Sequence, residues 1–150
     1  MLTIKKTYTW EMGHALFKVG KEDKCYSPHG HNYRLIVEVA RKNEEANPDT
    51  DMVVNFHELD RHIVPLVEEM DHKFYFNESD DRFRGGFGYV AFPYDPTAEA
   101  LCSDFIKRIH QKKMEWHSKD NLTLTLPPGV KLISLELYET DKASAKIYCP

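Results

Sequence analysis

Residues 2–14 alternate with a period of two, placing Ile4, Lys6, Tyr8, Trp10, Met12 and His14 on one side and Lys5, Thr7, Thr9 and Glu11 on the other. Aromatic and β-branched residues in this alternation predict a strand with one face toward a core. The polar residues 17–28, broken by Gly20, read as a loop. Residues 29–41 alternate again, with His29, His31, Tyr33, Leu35, Val37 and Val39 in one row. After a turn at Asn47-Pro48-Asp49 the period changes. Phe56, Leu59, Ile63, Leu66, Val67 and Met70 recur every three or four residues, which predicts an amphipathic helix ending near Asp71-His72, bent or broken at Pro65. Residues 78–94, aromatic and glycine-rich, predict an irregular loop holding a short strand. A second helix starts at Asp95-Pro96-Thr97, capped by Asp95 or by Thr97, and turns Leu101, Phe105 and Ile109 inward. Leu122, Leu124 and Leu126 alternate with threonines before the Pro127-Pro128-Gly129 turn, and residues 131–140 and 144–148 read as strands.

The order strand, strand, helix, helix, strand, strand (ββααββ) predicts an α+β domain: a four-stranded antiparallel sheet with two helices on one face. The 150 residues, 41% of them hydrophobic, suffice for one core, so residues 1–150 are expected to form a single domain. A small sheet of this kind has two open edges, which invite pairing with further copies. A net charge of -4 argues against the basic surface that non-specific nucleic-acid binding requires. The first residues lack a basic segment followed by an apolar run, and no stretch is long enough to span a membrane. A cytoplasmic protein without membrane association is expected. Three widely spaced cysteines, Cys25, Cys102 and Cys149, make a disulfide framework improbable and leave Cys25 free for chemistry.

The chemistry concentrates at His29-Gly30-His31. Alternate residues of a strand share a face, so the two imidazoles point to one side, and Gly30 between them adds no side chain. Pairing of the first two strands as a long antiparallel ladder brings His14, at the end of the first, beside both. Three imidazoles are the ligand set of catalytic zinc, which keeps a further position for water or substrate. Histidines on a strand also occur without any metal, and the pair alone does not decide between the two.

Further motifs stand in a definite order: Tyr8-Thr-Trp-Glu-Met-Gly-His14, Cys25-Tyr-Ser-Pro-His-Gly-His-Asn-Tyr33, Met52-Val-Val-Asn-Phe56, Met70-Asp-His72 with Asn77, Pro96-Thr-Ala-Glu99 and Tyr138-Glu-Thr140. In these the chain resembles the 6-pyruvoyl-tetrahydropterin synthase / 6-carboxytetrahydropterin synthase family along essentially its whole length. It departs from the family pattern at Ala15-Leu16, where an arginine often stands, at Asp51 in place of a glycine, and in the length of residues 78–94.

The resemblance implies the tunnelling fold (T-fold), whose copies join edge to edge, and a homohexamer, a dimer of trimers with active sites at subunit interfaces. It implies Zn2+ on His14, His29 and His31, proton transfer by Cys25, Asp71 and His72, and a pterin held by Glu139 with Thr97 and Glu99 lining its pocket. Zinc and an Asp-oriented His72 are expected to lower the Cys25 pKa, and Glu139 is expected to reach that pocket from another chain. Lys18, Lys21 and Lys24 are candidate partners for phosphate. The implied substrate is a pterin triphosphate, 7,8-dihydroneopterin triphosphate. The favoured outcome is 6-carboxy-5,6,7,8-tetrahydropterin, with loss of triphosphate and acetaldehyde on the way to queuosine-type deazapurines. Triphosphate elimination alone, giving the 6-pyruvoyl product, and a non-catalytic zinc-stabilised pterin-binding protein are the alternatives.

Overall fold

In the computed structural model, which describes residues 1–109 and 126–149, two long strands form the middle of the sheet, β1 (Thr3–Ala15) and β2 (His29–Arg41). They pair antiparallel from Thr3 against Ala40 to His14 against His29. Then follow α1 (Phe56–Met70), β3 (Phe74–Asn77), β4 (Tyr89–Phe92), α2 (Ala98–Ile109), β5 (Val130–Thr140) and β6 (Ala143–Tyr148). The sheet runs β4-β3-β1-β2-β5-β6. β1, β2, β5 and β6 are antiparallel neighbours, whereas β3 lies parallel to β1 and β4 parallel to β3.

The expected four-stranded antiparallel sheet in the order ββααββ is therefore corrected to six strands, a mixed sheet and the order ββαββαββ. β3 and β4 have four residues each. A four-residue strand shows too few repeats for a period to stand out, and β3 was hidden between a helix end and a loop. The alternating residues Leu122 and Leu124 lie outside the described residues.

Both helices pack on one face. Leu59, Ile63, Leu66 and Met70 of α1 and Leu101, Phe105 and Ile109 of α2 share one core with Trp10, Met12, Tyr33, Leu35, Val37, Leu135 and Leu137. Helix α1 opens on Asn55, whose side chain accepts from the His57 N–H, and it runs on through Pro65 instead of breaking there. Pro65 follows exposed Arg61 by one turn, on a side away from the fully buried stripe. Asp51, standing where a glycine was expected, adopts a glycine-like φ of 56°, which a short carboxylate side chain tolerates. Among the described residues no helix is long and apolar enough to cross a membrane.

Two carboxylates tie elements to one another. Asp60 of α1 receives Lys6 Nζ at 2.7 Å and Tyr8 Oη at 3.0 Å from β1, and the Lys6 bond holds its carboxyl below the usual range. Arg82 does the same for Asp80. A carboxyl whose pKa is lower folded than unfolded stabilises the fold above its unfolded value, about 3.9, and loses that effect as pH falls through its folded value. The contribution of these two carboxylates is thus expected to be level from neutral pH to about pH 5 and to fall below about pH 4. Urea unfolding at pH 7, 5 and 3 checks this, and Asp60→Asn is expected to flatten the acid fall.

Candidate active site around three histidines

His14 ends the buried row of β1, and His29 and His31 begin that of β2. The pairing of His14 with His29 brings the rings together, and the ligand nitrogens of all three lie within 4.8 Å of one another. His14 Nε2 is 2.9 Å from His29 Nε2 and 3.2 Å from His31 Nε2. Nitrogens at neighbouring corners of a tetrahedral zinc stand about 3.3 Å apart, so the spacing matches a shared cation.

The outer ring nitrogens fix the tautomers. His14 Nδ1 donates to the Pro96 carbonyl at 2.8 Å, and His29 Nδ1 to the Ser27 carbonyl at 2.7 Å. In neutral rings this turns the Nε2 lone pairs of His14 and His29 toward each other. Histidine ligands are oriented through their second nitrogen in this way, and converging lone pairs call for a cation. Burial, ahead of the neighbouring imidazoles, pushes the pKa of His14 down to about 4, keeping the ring neutral, as a ligand must be. The donor set therefore fits a divalent metal.

Glu139 of the same chain stands beside the imidazoles. It continues the inward row of Leu135 and Leu137, and the β5–β6 register shifts between Tyr138 and Thr140. Such a bulge re-aims a side chain. Its Oε1 lies 3.1 Å from His14 Nε2 and 3.5 Å from His31 Nε2. Burial raises the Glu139 pKa, with His29 opposing and Glu99 reinforcing the rise. Glu99 is exposed in the first turn of α2, while the Thr97 hydroxyl is the cap, accepting from Ala100 N–H at 3.2 Å.

Asp95 does not cap α2. It is buried and accepts from the Phe17 and Lys18 N–H groups, both at 2.9 Å, and from Asn77 Nδ2 at 3.0 Å. This carboxylate pins the start of the Cys25 loop next to the carbonyl that orients His14. Sequence reasoning missed the clamp because an Asp before Pro-Thr matches a helix start equally well.

Cys25 sits in a single 3-10 turn, Lys24–Tyr26. Asp23 Oδ1 accepts its N–H at 2.8 Å, and its carbonyl accepts from Leu16 N–H at 2.9 Å. Burial, then Asp23 and Glu139, raise the pKa of the thiol, against a pull from Lys24. The expected lowering is thus not produced by the chain's own residues.

Nor does His72 help within one chain. Asp71 closes α1, and His72 takes a left-handed φ of 60°, its N–H donating to Glu11 O at 2.7 Å. Its Nδ1 is 2.7 Å from Asp71 Oδ1, an atom that also accepts from Glu11 N–H. With Glu11, Gly13, Gly30, Asn32 and Phe87, His72 lines a cleft of about 520 Å³. Glu11 alternates with core-facing Trp10 and Met12, so its side chain stands on the sheet face away from the imidazole row, while Met12 and His31 also border the cleft. The structure brings His14, His29, His31 and Glu139 together and separates Asp71 and His72 from them.

The model of the family described as 6-pyruvoyl tetrahydropterin synthase matches residues 3–149. The chain belongs to this family. It is 29% identical to a 6-carboxy-5,6,7,8-tetrahydropterin synthase of Aquifex aeolicus, covering 95% of each chain. It is also 29% identical to one of Synechocystis, over 100% of this chain and 95% of the relative. A 6-pyruvoyl tetrahydrobiopterin synthase of Pongo abelii is 32% identical over 79% of this chain and 66% of that one. Among solved structures, the 6-pyruvoyl tetrahydropterin synthase of Caenorhabditis elegans superposes with a TM-score of 0.62 at 19% identity, covering 99% of this chain and 96% of that one. As a member of the 6-pyruvoyl tetrahydropterin synthase family, the chain is an enzyme, a lyase of the pterin synthase kind.

Proposed function

We infer that the chain is a zinc-dependent 6-carboxy-5,6,7,8-tetrahydropterin synthase, acting on 7,8-dihydroneopterin triphosphate with loss of triphosphate and acetaldehyde. The observation that carries this reading is the convergence of the ligand nitrogens of His14, His29 and His31, with His14 and His29 oriented through Nδ1 by the Pro96 and Ser27 carbonyls. The 6-carboxy names of the relatives from Aquifex and Synechocystis favour that branch. The 6-pyruvoyl branch is the second reading, favoured by the relative from Pongo.

His14, His29 and His31 would hold the zinc. When bound, zinc supplies Lewis acidity toward oxygens of the substrate side chain. Cys25 takes and returns a proton at Sγ. Asp71 holds His72 with Nδ1 as donor, so that Nε2 is free to exchange a proton. Glu139 binds the amino and N–H edge of the pterin, which matches a carboxylate with two parallel bonds. Glu99 and Thr97 flank that pocket.

Because the Cys25 turn adjoins His29 through the Ser27 carbonyl while His72 lines a cleft that Cys25 does not border, a complete proton-transfer set is read as needing two chains. β1 meets β3 only through residues 13–15, and β6 ends the sheet, so two long edges are open to further copies. A homohexamer of two trimers with shared sites uses them.

Incubation of the zinc form with dihydroneopterin triphosphate, followed by product mass and an acetaldehyde assay, tests the reading. Acetaldehyde with a carboxylated pterin is expected. A pyruvoyl product would select the second branch, and absence of turnover would leave a pterin-binding protein.

A further inference from the structure

Residues 78–94 supply no proton-transfer or metal-holding group to the proposed reaction, yet they are built around a buried charge. Asp80 is 1% exposed, and a buried carboxylate must be matched by donors. Among the described residues every donor to it comes from Arg82: Nε at 2.9 Å from Oδ1, Nη2 at 2.7 Å from Oδ2, and the backbone N–H at 3.2 Å from Oδ1. Asp80 thereby caps the 3-10 turn Asp81–Phe83 and sets the plane of the guanidinium.

One nitrogen is left over, and it points away from Asp80. Arg82 Nη1 donates to the Tyr26 carbonyl at 2.8 Å, and the guanidinium carbon lies 3.5 Å from the centre of the Tyr26 ring. The residue after Cys25 is thus gripped through its main chain and its side chain at once. Behind this grip, the Phe83 ring packs against Phe74 and Phe76 of β3, with centroids 4.9 Å and 5.9 Å away, which ties the loop to the sheet. The Cys25 turn needs such a hold. A three-residue 3-10 turn has poor hydrogen-bond geometry and little stiffness of its own.

The geometry points to Arg82, oriented by Asp80, as a positioning residue that fixes where Cys25 Sγ stands relative to His14, His29 and His31. Only arginine can do this, because a planar fork is needed to satisfy a carboxylate, donate to a carbonyl and stack on a ring together. The long loop is then a brace for the thiol. This inference rests on the reading of Cys25 as the proton-transfer residue.

The test measures kcat and KM of zinc-replete Arg82→Ala, Arg82→Lys, Asp80→Asn and Cys25→Ala proteins. Displacing a reacting group by about 1 Å costs on the order of 100-fold, so Arg82→Ala is expected to lose about 10- to 100-fold in kcat, with KM and zinc content little changed. Asp80→Asn is expected to fall in the same direction, and Arg82→Lys, which keeps the charge and loses the fork, to recover only part. If Arg82→Ala does not fold, Arg82→Lys carries the test through the same kcat-against-KM split. Wild-type kcat in a folded Arg82 variant, beside an inactive Cys25→Ala, overturns the brace. An active Cys25→Ala overturns the reading of Cys25 instead.

Discussion

His29→Ala is expected to lose bound metal and turnover together. His29 is the best probe of the three ligands because it is only half-buried and its Nδ1 bonds a carbonyl two residues away. His14, by contrast, is 1% exposed and holds the Pro96 carbonyl, so its truncation would confound ligand loss with misfolding. Loss of an outer-shell partner alone weakens a metal site about 10- to 100-fold, and loss of a ligand exceeds that. After dialysis against a chelator, the variant is expected to keep less than about a tenth of the wild-type zinc. Added zinc should raise the thermal midpoint of the wild type, since a ligand bound only by the folded state stabilises it, and leave that of His29→Ala unmoved. Full metal content with wild-type activity in the variant would remove His29 from the site.

The meeting of the three histidines was legible in the sequence because it depends on a period of two. Once His14, His29 and His31 fall in the inward rows of two long strands, antiparallel pairing leaves them little choice but to meet, and the register of His14 against His29 places them so. The outer nitrogens were not legible. The carbonyls of Pro96 and Ser27 carry no residue identity, and only the folded backbone aims them at the rings. Asp95 and Asp80 were hidden for a related reason. Each satisfies a local rule as a cap or turn residue, and what separates a cap from a clamp is a partner far along the chain, such as Phe17, or the Tyr26 grip that Asp80 sets up. The side of the sheet on which His72 emerges was likewise unreadable, since it follows from the left-handed φ of 60° just after α1, a conformation usually announced by glycine. A histidine in that strained position is itself a pointer to function.

That position makes the sharing of sites between chains testable by mixing. Cys25→Ala removes the thiol, and His72→Asn removes the imidazole while keeping a residue that tolerates the left-handed conformation. Each variant alone is expected to lose turnover by about 100-fold or more, within what one acid or base contributes. Both should keep their zinc, because neither residue touches His14, His29 or His31 through any hydrogen bond described above. Suppose now that the two are unfolded, mixed in equal amounts and reassembled. If Cys25 of one chain works with His72 of its neighbour, about a quarter of the sites in a symmetric assembly receive both intact residues, and about a quarter of wild-type activity should return. If both residues act inside one chain, no site in the mixture is ever complete and the mixture stays as inactive as its parents. The separation of His72, in its own cleft, from the Cys25 turn predicts recovery, and an inactive mixture of well-assembled, zinc-loaded chains would refute the shared site.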